Sequence, residues 1–432
     1  MGLVEKITQA EFAPYVYSYP PTRTYRPVKH FSLNDPVFTD RVNVYIHIPF
    51  CEQKCTFCGY LTMIARSDDV VEQYVDCIVR EIGMYREILE TKVITSVNFG
   101  GGTPSLLTEA QFAKIMQALT AANSALVHTA REISIEATPE SVLSNKVAAY
   151  QSYGLNRVSV GIQTFNNAEI ARAKRHNGAD VSVRTVGTLR ALKISNVCCD
   201  LMYGLSGQTI KSWEESVACL LDLRPDTIEL YSMVMIPGTP LAKTGGAEMP
   251  PGDRLQCYQY AQSMFLEADY EHDCHLRFVI PGRGFYRQQE NVFQGESLVG
   301  FGAGARSYTV NMHYRNSFDG ARHTRAIGEY MRAIQSGCHA VESVALLNEE
   351  EQLRRYVIYR IEHLDKSEFI QKFGARFEDK FPEEYHELTS LTLAKDNGEE
   401  ICLTLKGLAF RDVIAQQFFS VNTVSHEVVY YA

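Results

Sequence analysis

Three cysteines, Cys51, Cys55 and Cys58, fall within eight residues in the segment PFCEQKCTFCGY. Thiolates spaced C-x3-C-x2-C converge on one metal centre when the backbone loops around it. Structural zinc takes four closed ligands, usually from two paired knuckles, and the chain has no second C-x2-C. Cys198 and Cys199 are adjacent, and adjacent strand residues point to opposite faces. Three thiolates instead leave one iron of a [4Fe-4S] cluster open to a small-molecule ligand, with Phe57 placed to shield the sulfurs. The spacing favours a cluster, with zinc as the rival. The chain has eleven cysteines, an odd number that needs no pairing in a reducing compartment. Most of the others, such as Cys77 and Cys219, sit singly in apolar periodic stretches and read as small buried hydrophobes.

The elements that must hold this loop are legible as an alternation. Short β-rich runs occur at 42–48, 93–99, 132–137, 157–162, 197–202 and 227–231. Amphipathic segments separate them. In 70–89, Val71, Val75, Ile78, Ile82 and Tyr85 recur at helical spacing, and in 109–126 Phe112, Ile115, Met116 and Leu119 share a face. Strands alternating with helices give a parallel sheet of βαβ units. Six units are too few for a closed eight-stranded barrel, so the expected fold is α/β, a partial (β/α)6 TIM-like barrel. The boundaries read as an extended Tyr/Pro-rich arm at 1–40, the barrel at 41–232, and an irregular substrate-closing extension at 233–345. A winged-helix-like appendage at 346–432 starts with a helix capped by Asn348.

The second strand ends in Gly100, Gly101 and Gly102, where the lack of a Cβ lets backbone approach a ligand closely; Thr103 and Pro104 fix the exit. Glu136, Gln163, Asp200 and Tyr231 end the third to sixth strands. Polar residues at the carboxyl ends of parallel strands face the crevice where such folds bind ligands.

The cysteine motif directly after the first strand resembles the radical S-adenosylmethionine (SAM) superfamily. The longer segment YIHIPFCEQKCTFC, followed by NFGGGTPSLL, SIEATPE, VSVGIQTF, RAKRHNG, DLMYGLSGQT and ELYSMVMIPGTP, resembles its oxygen-independent coproporphyrinogen III oxidase branch. That branch also holds heme chaperones and certain methyltransferases, and the likeness runs from about 12 to 420. The resemblance implies that Cys51, Cys55 and Cys58 hold a [4Fe-4S] cluster whose open iron chelates the methionine part of SAM. One electron, from a donor such as flavodoxin or ferredoxin, then yields a 5′-deoxyadenosyl radical. It places Gly100–Gly102 and Thr103 at the methionine amino group and carries SAM contacts to Glu136, Gln163, Arg175 and Asp200. It sets Tyr45 beside the cluster-bound cofactor, and Tyr231 and Met233 on the strand packed against adenine.

The oxidase pattern continues with a further cysteine two residues on, where this chain has Tyr60. An acidic residue tends to follow the third cysteine in the chaperones, where this chain has Gly59. With no room for a cobalamin domain, the expectation is methyl or methylene transfer from a second SAM to an sp2 carbon of a biosynthetic substrate. The alternatives are a radical enzyme acting on heme or a porphyrin, and a heme chaperone using histidines such as His47, His176, His275 or His313.

Composition bounds the rest. The chain has 432 residues, 45% hydrophobic and 22% charged, with a net charge of −9, which suits a globular protein and argues against a nucleic-acid coat. No apolar run approaches a membrane span, and the first ten residues lack a signal-like core. A cytoplasmic enzyme with a small-molecule substrate is expected.

Overall fold

The computed structural model describes residues 3–9, 15–65, 67–144, 146–176, 178–246 and 248–421. Parts of the expected arm and appendage, at 10–14 and 422–432, lie outside these, as does Asn177 of the RAKRHNG segment.

Six strands form where the β-rich runs place them: β1 (Arg41–Ile48), β2 (Val93–Gly101), β3 (Glu132–Ala137), β4 (Arg157–Gln163), β5 (Asn196–Tyr203) and β6 (Thr227–Ser232). They lie side by side in chain order, all parallel. The intervening helices pack their apolar stripes on the outer face. Helix Asp68–Met84 buries Tyr74, Val75, Ile78 and Ile82. Helix Glu109–Ala122 starts at a capping box between Thr108 and Gln111 and buries Phe112, Ile115, Met116 and Leu119. Cys77 is buried, whereas Cys219 is exposed on helix Ile210–Leu223, a correction to its reading as a core residue.

The region after β6 is more regular than its sequence suggests. A hairpin of β7 (Glu271–Cys274) and β8 (Arg277–Val279) adds antiparallel to β6. On the other side β9 (Ser297–Phe301) runs parallel to β1, a seventh parallel strand. It leads into the antiparallel run β10 (Arg306–Tyr308), β11 (Met312–Asn316) and β12 (Val341–Leu346). The result is one open sheet of thirteen strands with no barrel closure. SLVGF is only five residues long and abuts the glycine cluster GFGAGARSY, so its strand character is masked in the sequence. Within the arm, Leu3–Thr8 is helical, and Arg26–Pro27 pairs with β12 to form one edge of the sheet.

At the C-terminal end, helix Glu349–Arg360 is capped by the Asn348 side chain. Helices Lys366–Phe373 and Pro382–Ser390 follow, with a three-stranded sheet of His363–Asp365, Glu400–Leu403 and Ala394–Asp396. Buried polar groups join this appendage to the sheet and the arm. His275 Nδ1 lies 2.8 Å from Glu362 and its Nε2 3.2 Å from Asp412. Arg411, fully buried, donates to the carbonyls of Val16 (2.9 Å) and Ile358 (2.7 Å).

Candidate active site

The cysteine loop leaves β1 and is pinned on three sides. Phe50–Cys51 pairs with Met63–Ile64. The Thr56 N–H donates to the Ala173 carbonyl (3.1 Å), and the Thr56 carbonyl accepts from Leu241 (2.9 Å). Phe57 packs against Leu205, Met233 and Leu241, so the loop carries an apolar shield on that side. Cys51, Cys55 and Cys58 are free and partly buried. Burial pushes the Cys51 thiol up to about 12 and the Cys58 thiol up to about 11, with the Thr103 hydroxyl opposing the shift at Cys51. Metal binding by these thiols therefore releases protons.

The glycine run at the end of β2 lies directly against this loop. Gly102 donates to the Ile48 carbonyl (2.8 Å) and Thr103 to that of Phe50 (2.8 Å). A Cβ on Gly100 would sit 2.5 Å from Glu136 Oε1, one on Gly101 2.5 Å from the His47 ring, and one on Gly102 2.6 Å from the Phe50 carbonyl oxygen. Gly101 also has φ +113°. These glycines are thus required by the packing of the site itself, before any ligand enters.

The strand-end residues converge on the crevice beside the glycines. Glu136 accepts the Gly101 N–H (3.0 Å), and its carboxyl is raised to about 7 by burial. Asp200 accepts from Ser159 (2.9 Å) and is raised to about 8 by burial and by repulsion from Glu229. Gln163, at φ +72°, closes a bulge in β4, and its buried Oε1 has no hydrogen-bond partner. Arg175 bridges the Gly161 carbonyl and Cys55 Sγ, tying the end of β4 to the cysteine loop. The Tyr45 hydroxyl lies 3.1 Å from His47 Nδ1, Tyr231 donates to Glu229, and Met233 is buried under Phe57. A cavity of about 740 Å³ opens next to Cys51, with Lys54, Lys243 and His323 in its wall.

Below the crevice lies a network that the sequence reading missed. Glu229 accepts from Arg157 (2.9 Å) and lies 3.4 Å from the Arg277 Nε, and both guanidiniums stack on Tyr286. The available signal was the alternation on β6, which puts Glu229 and Tyr231 on one face. The histidines weighed as heme ligands are partly spoken for: His47 bonds Tyr45 and the Leu61 carbonyl, His275 bonds Glu362 and Asp412, and His313 bonds Arg355.

Residues 45–220 match the model of the radical SAM superfamily. Over that span the chain carries a radical SAM domain. Such a domain implies a [4Fe-4S] cluster and SAM, and the three cysteines fit the cluster motif. The chain is similar to proteins of the oxygen-independent coproporphyrinogen III oxidase-like branch. It is 25% identical to the heme chaperone HemW of Lactococcus lactis over 87% of this chain and 97% of that protein. It is 28% identical to the oxygen-independent coproporphyrinogen III oxidase of Paracoccus denitrificans over 84% of this chain and 83% of that protein. The structure of coproporphyrinogen III oxidase (HemN) from Escherichia coli superimposes with a TM-score of 0.80 and 22% identity, covering 94% of this chain and 96% of that one. Methyl or methylene transfer finds no support in these relatives, which are named for porphyrin oxidation and heme handling. Among the described residues, no helix is long and apolar enough to cross a membrane.

Proposed function

We propose that this radical SAM enzyme acts on a heme or a porphyrin. The observation that carries the reading is the extent of the similarity: coproporphyrinogen III oxidases and heme chaperones align along most of both chains, beyond the radical SAM domain itself. The residues present suit the cofactors. Three thiols share one pinned loop, the orphaned Gln163 Oε1 needs a donor from a ligand, and two carboxyls stand ready for hydroxyl or amino groups. When bound, the cluster and SAM supply a radical that removes a hydrogen atom from an unactivated position. The protein's share is to hold the thiolates, to orient SAM through Glu136, Gln163, Arg175 and Asp200, and to keep water off the sulfurs with Phe57. Lys54 and Lys243, beside Cys51, favour docking of an acidic electron donor.

Methyl or methylene transfer with a second SAM is the other reading, favoured by Tyr60, which stands where the oxidase pattern has a cysteine and is half-exposed beside the crevice. One anaerobic assay separates the two. With reconstituted protein, SAM and reductant, heme or coproporphyrinogen III should stimulate 5′-deoxyadenosine formation without S-adenosylhomocysteine. Equimolar S-adenosylhomocysteine would select methyl transfer. Stoichiometric heme binding with no turnover would select a chaperone.

A further inference from the structure

Two arginines face each other on the antiparallel strands that follow β9. In the antiparallel pairing of β10 with β11, Arg306 stands directly opposite Arg315. Directly opposed residues share a face, and like charges there repel. Among the described residues neither guanidinium forms an ion pair. Arg306 donates to the Tyr17 hydroxyl and lies 4.4 Å over the Tyr17 ring. Arg315 lies 4.1 Å over the Phe318 ring, and its Nε is buried with no hydrogen-bond partner. Glu342 is within electrostatic reach of Arg315, but its carboxylate accepts the Phe318 N–H instead. The nearby Arg355 spends its donors on the carbonyls of Thr309 and Val310 and on His313.

The other groups near Arg306 are neutral rings. Tyr17, Tyr25 and Tyr308 surround it on the arm side, and Tyr45, His47 and Tyr60 lie within electrostatic reach on the crevice side. By contrast, Glu229 answers the buried Arg157 and Arg277 with its carboxylate. Arg306 and Arg315 are partly buried, and a pair of cations withdrawn from water without a counter-ion is costly to keep. An anion that enters from the crevice removes that cost.

We propose that Arg306 and Arg315, with Tyr17, form a subsite that binds the carboxylates of the substrate on the antiparallel pair β10–β11. The guanidinium fork takes a carboxylate in a bidentate manner, and two forks on one strand pair suit a ligand bearing more than one acid group on an aromatic or macrocyclic frame. Tyrosine rings supply flat apolar walls for such a frame. The inference rests on the heme or porphyrin reading and narrows it: the acid side chains, not the ring metal, set the orientation of the substrate relative to the radical.

The test uses coproporphyrin III and its tetramethyl ester as probes, titrated by absorbance into the reconstituted full chain, with Arg306→Gln and Arg315→Gln as variants. Iron content and cluster absorption serve as the folding control. Each substitution should weaken binding of the free acid at least tenfold, and the ester should bind wild type and variants with the same low affinity. Equal binding of the free acid to wild type and both variants would overturn the subsite while leaving the porphyrin reading intact. If neither probe nor heme binds wild type, the porphyrin reading fails, and mellitate decides the subsite alone. A mellitate-induced rise in unfolding temperature that disappears in both variants supports it, and no rise, or an unchanged one, overturns it.

Discussion

The junction of the appendage and the crevice at the strand ends both place charged groups out of bulk water, and they treat them in opposite ways. At the junction His275 sits between Glu362 and Asp412, and Arg411 between those carboxylates and two backbone carbonyls. Burial works against these charges, yet His275 and Arg411 hold the Glu362 and Asp412 carboxyls below their usual range, and the carboxylates raise His275 well above its own. In the crevice, Glu136 has a single backbone N–H, Asp200 lies beside Glu229, and the Gln163 carbonyl has nothing. There burial wins, and the carboxyls rise to about 7 and about 8. Charges that are fully answered hold parts of the chain together, and charges left unanswered wait for a ligand. The Arg306–Arg315 pair falls on the second side of that division.

The comparison breaks most visibly at the cysteine loop. Replacing any one of Cys51, Cys55 or Cys58 with Ala should abolish the cluster, with loss of about four irons per chain and of the thiolate–iron absorption near ~400 nm. Cys402→Ala, on the appendage, should change neither. Retention of full iron content in a Cys55→Ala protein would move the metal site elsewhere.

At the junction the effect is on stability. His275→Gln leaves two buried carboxylates short of a cation, and breaking such a cluster costs about 3–5 kcal/mol. The unfolding temperature should fall by several degrees while the cluster still assembles in the folded fraction. The sign with pH follows from the raised His275 value. Its contribution is complete below the ordinary histidine range and fades as pH rises through the folded-state value, so the gap between variant and wild type should be widest in mild acid. A gap that widens toward alkaline pH would mean that His275 is held neutral.

Local pattern and long-range pairing account for what could be read from the chain. The six strands were legible because each is a short β-rich run, and the placement of Glu136, Gln163 and Asp200 toward the carboxyl ends of their strands followed from the same runs. The bonds that tune these residues were not. Arg157 and Glu229 are 72 residues apart, and Arg277 is a further 48 beyond Glu229. Nothing local marks them as partners. The opposition of Arg306 and Arg315 depends on the register of a hairpin whose first strand lies inside the glycine cluster GFGAGARSY, in a stretch read as irregular. His275 illustrates the converse: a lone histidine reads first as a packing or surface residue and only under the chaperone alternative as a heme ligand, and its contacts with Glu362 and Asp412 give it a structural role.

The smallest expected effect sharpens the crevice side. Glu136 and Asp200 have folded-state values above their unfolded ones, so the ligand-free protein favours their protonated forms. Their contribution to stability is complete below the unfolded carboxyl range near ~4 and is lost as pH rises through about 7 for Glu136 and about 8 for Asp200. Glu136→Gln and Asp200→Asn remove the ionisation and should flatten the decline of stability between mild acid and pH 8, by about 1–3 kcal/mol. His275 adds a decline of the same sign, but it is common to wild type and both variants and cancels in the difference. The check is denaturant unfolding of the SAM-free protein at several pH values. SAM should reduce the wild-type decline as well, because its hydroxyl and amino groups favour the charged carboxylates. If SAM leaves the wild-type pH profile unchanged, Glu136 and Asp200 do not touch the cofactor, and the crevice beside Gly100–Gly102 is not its site.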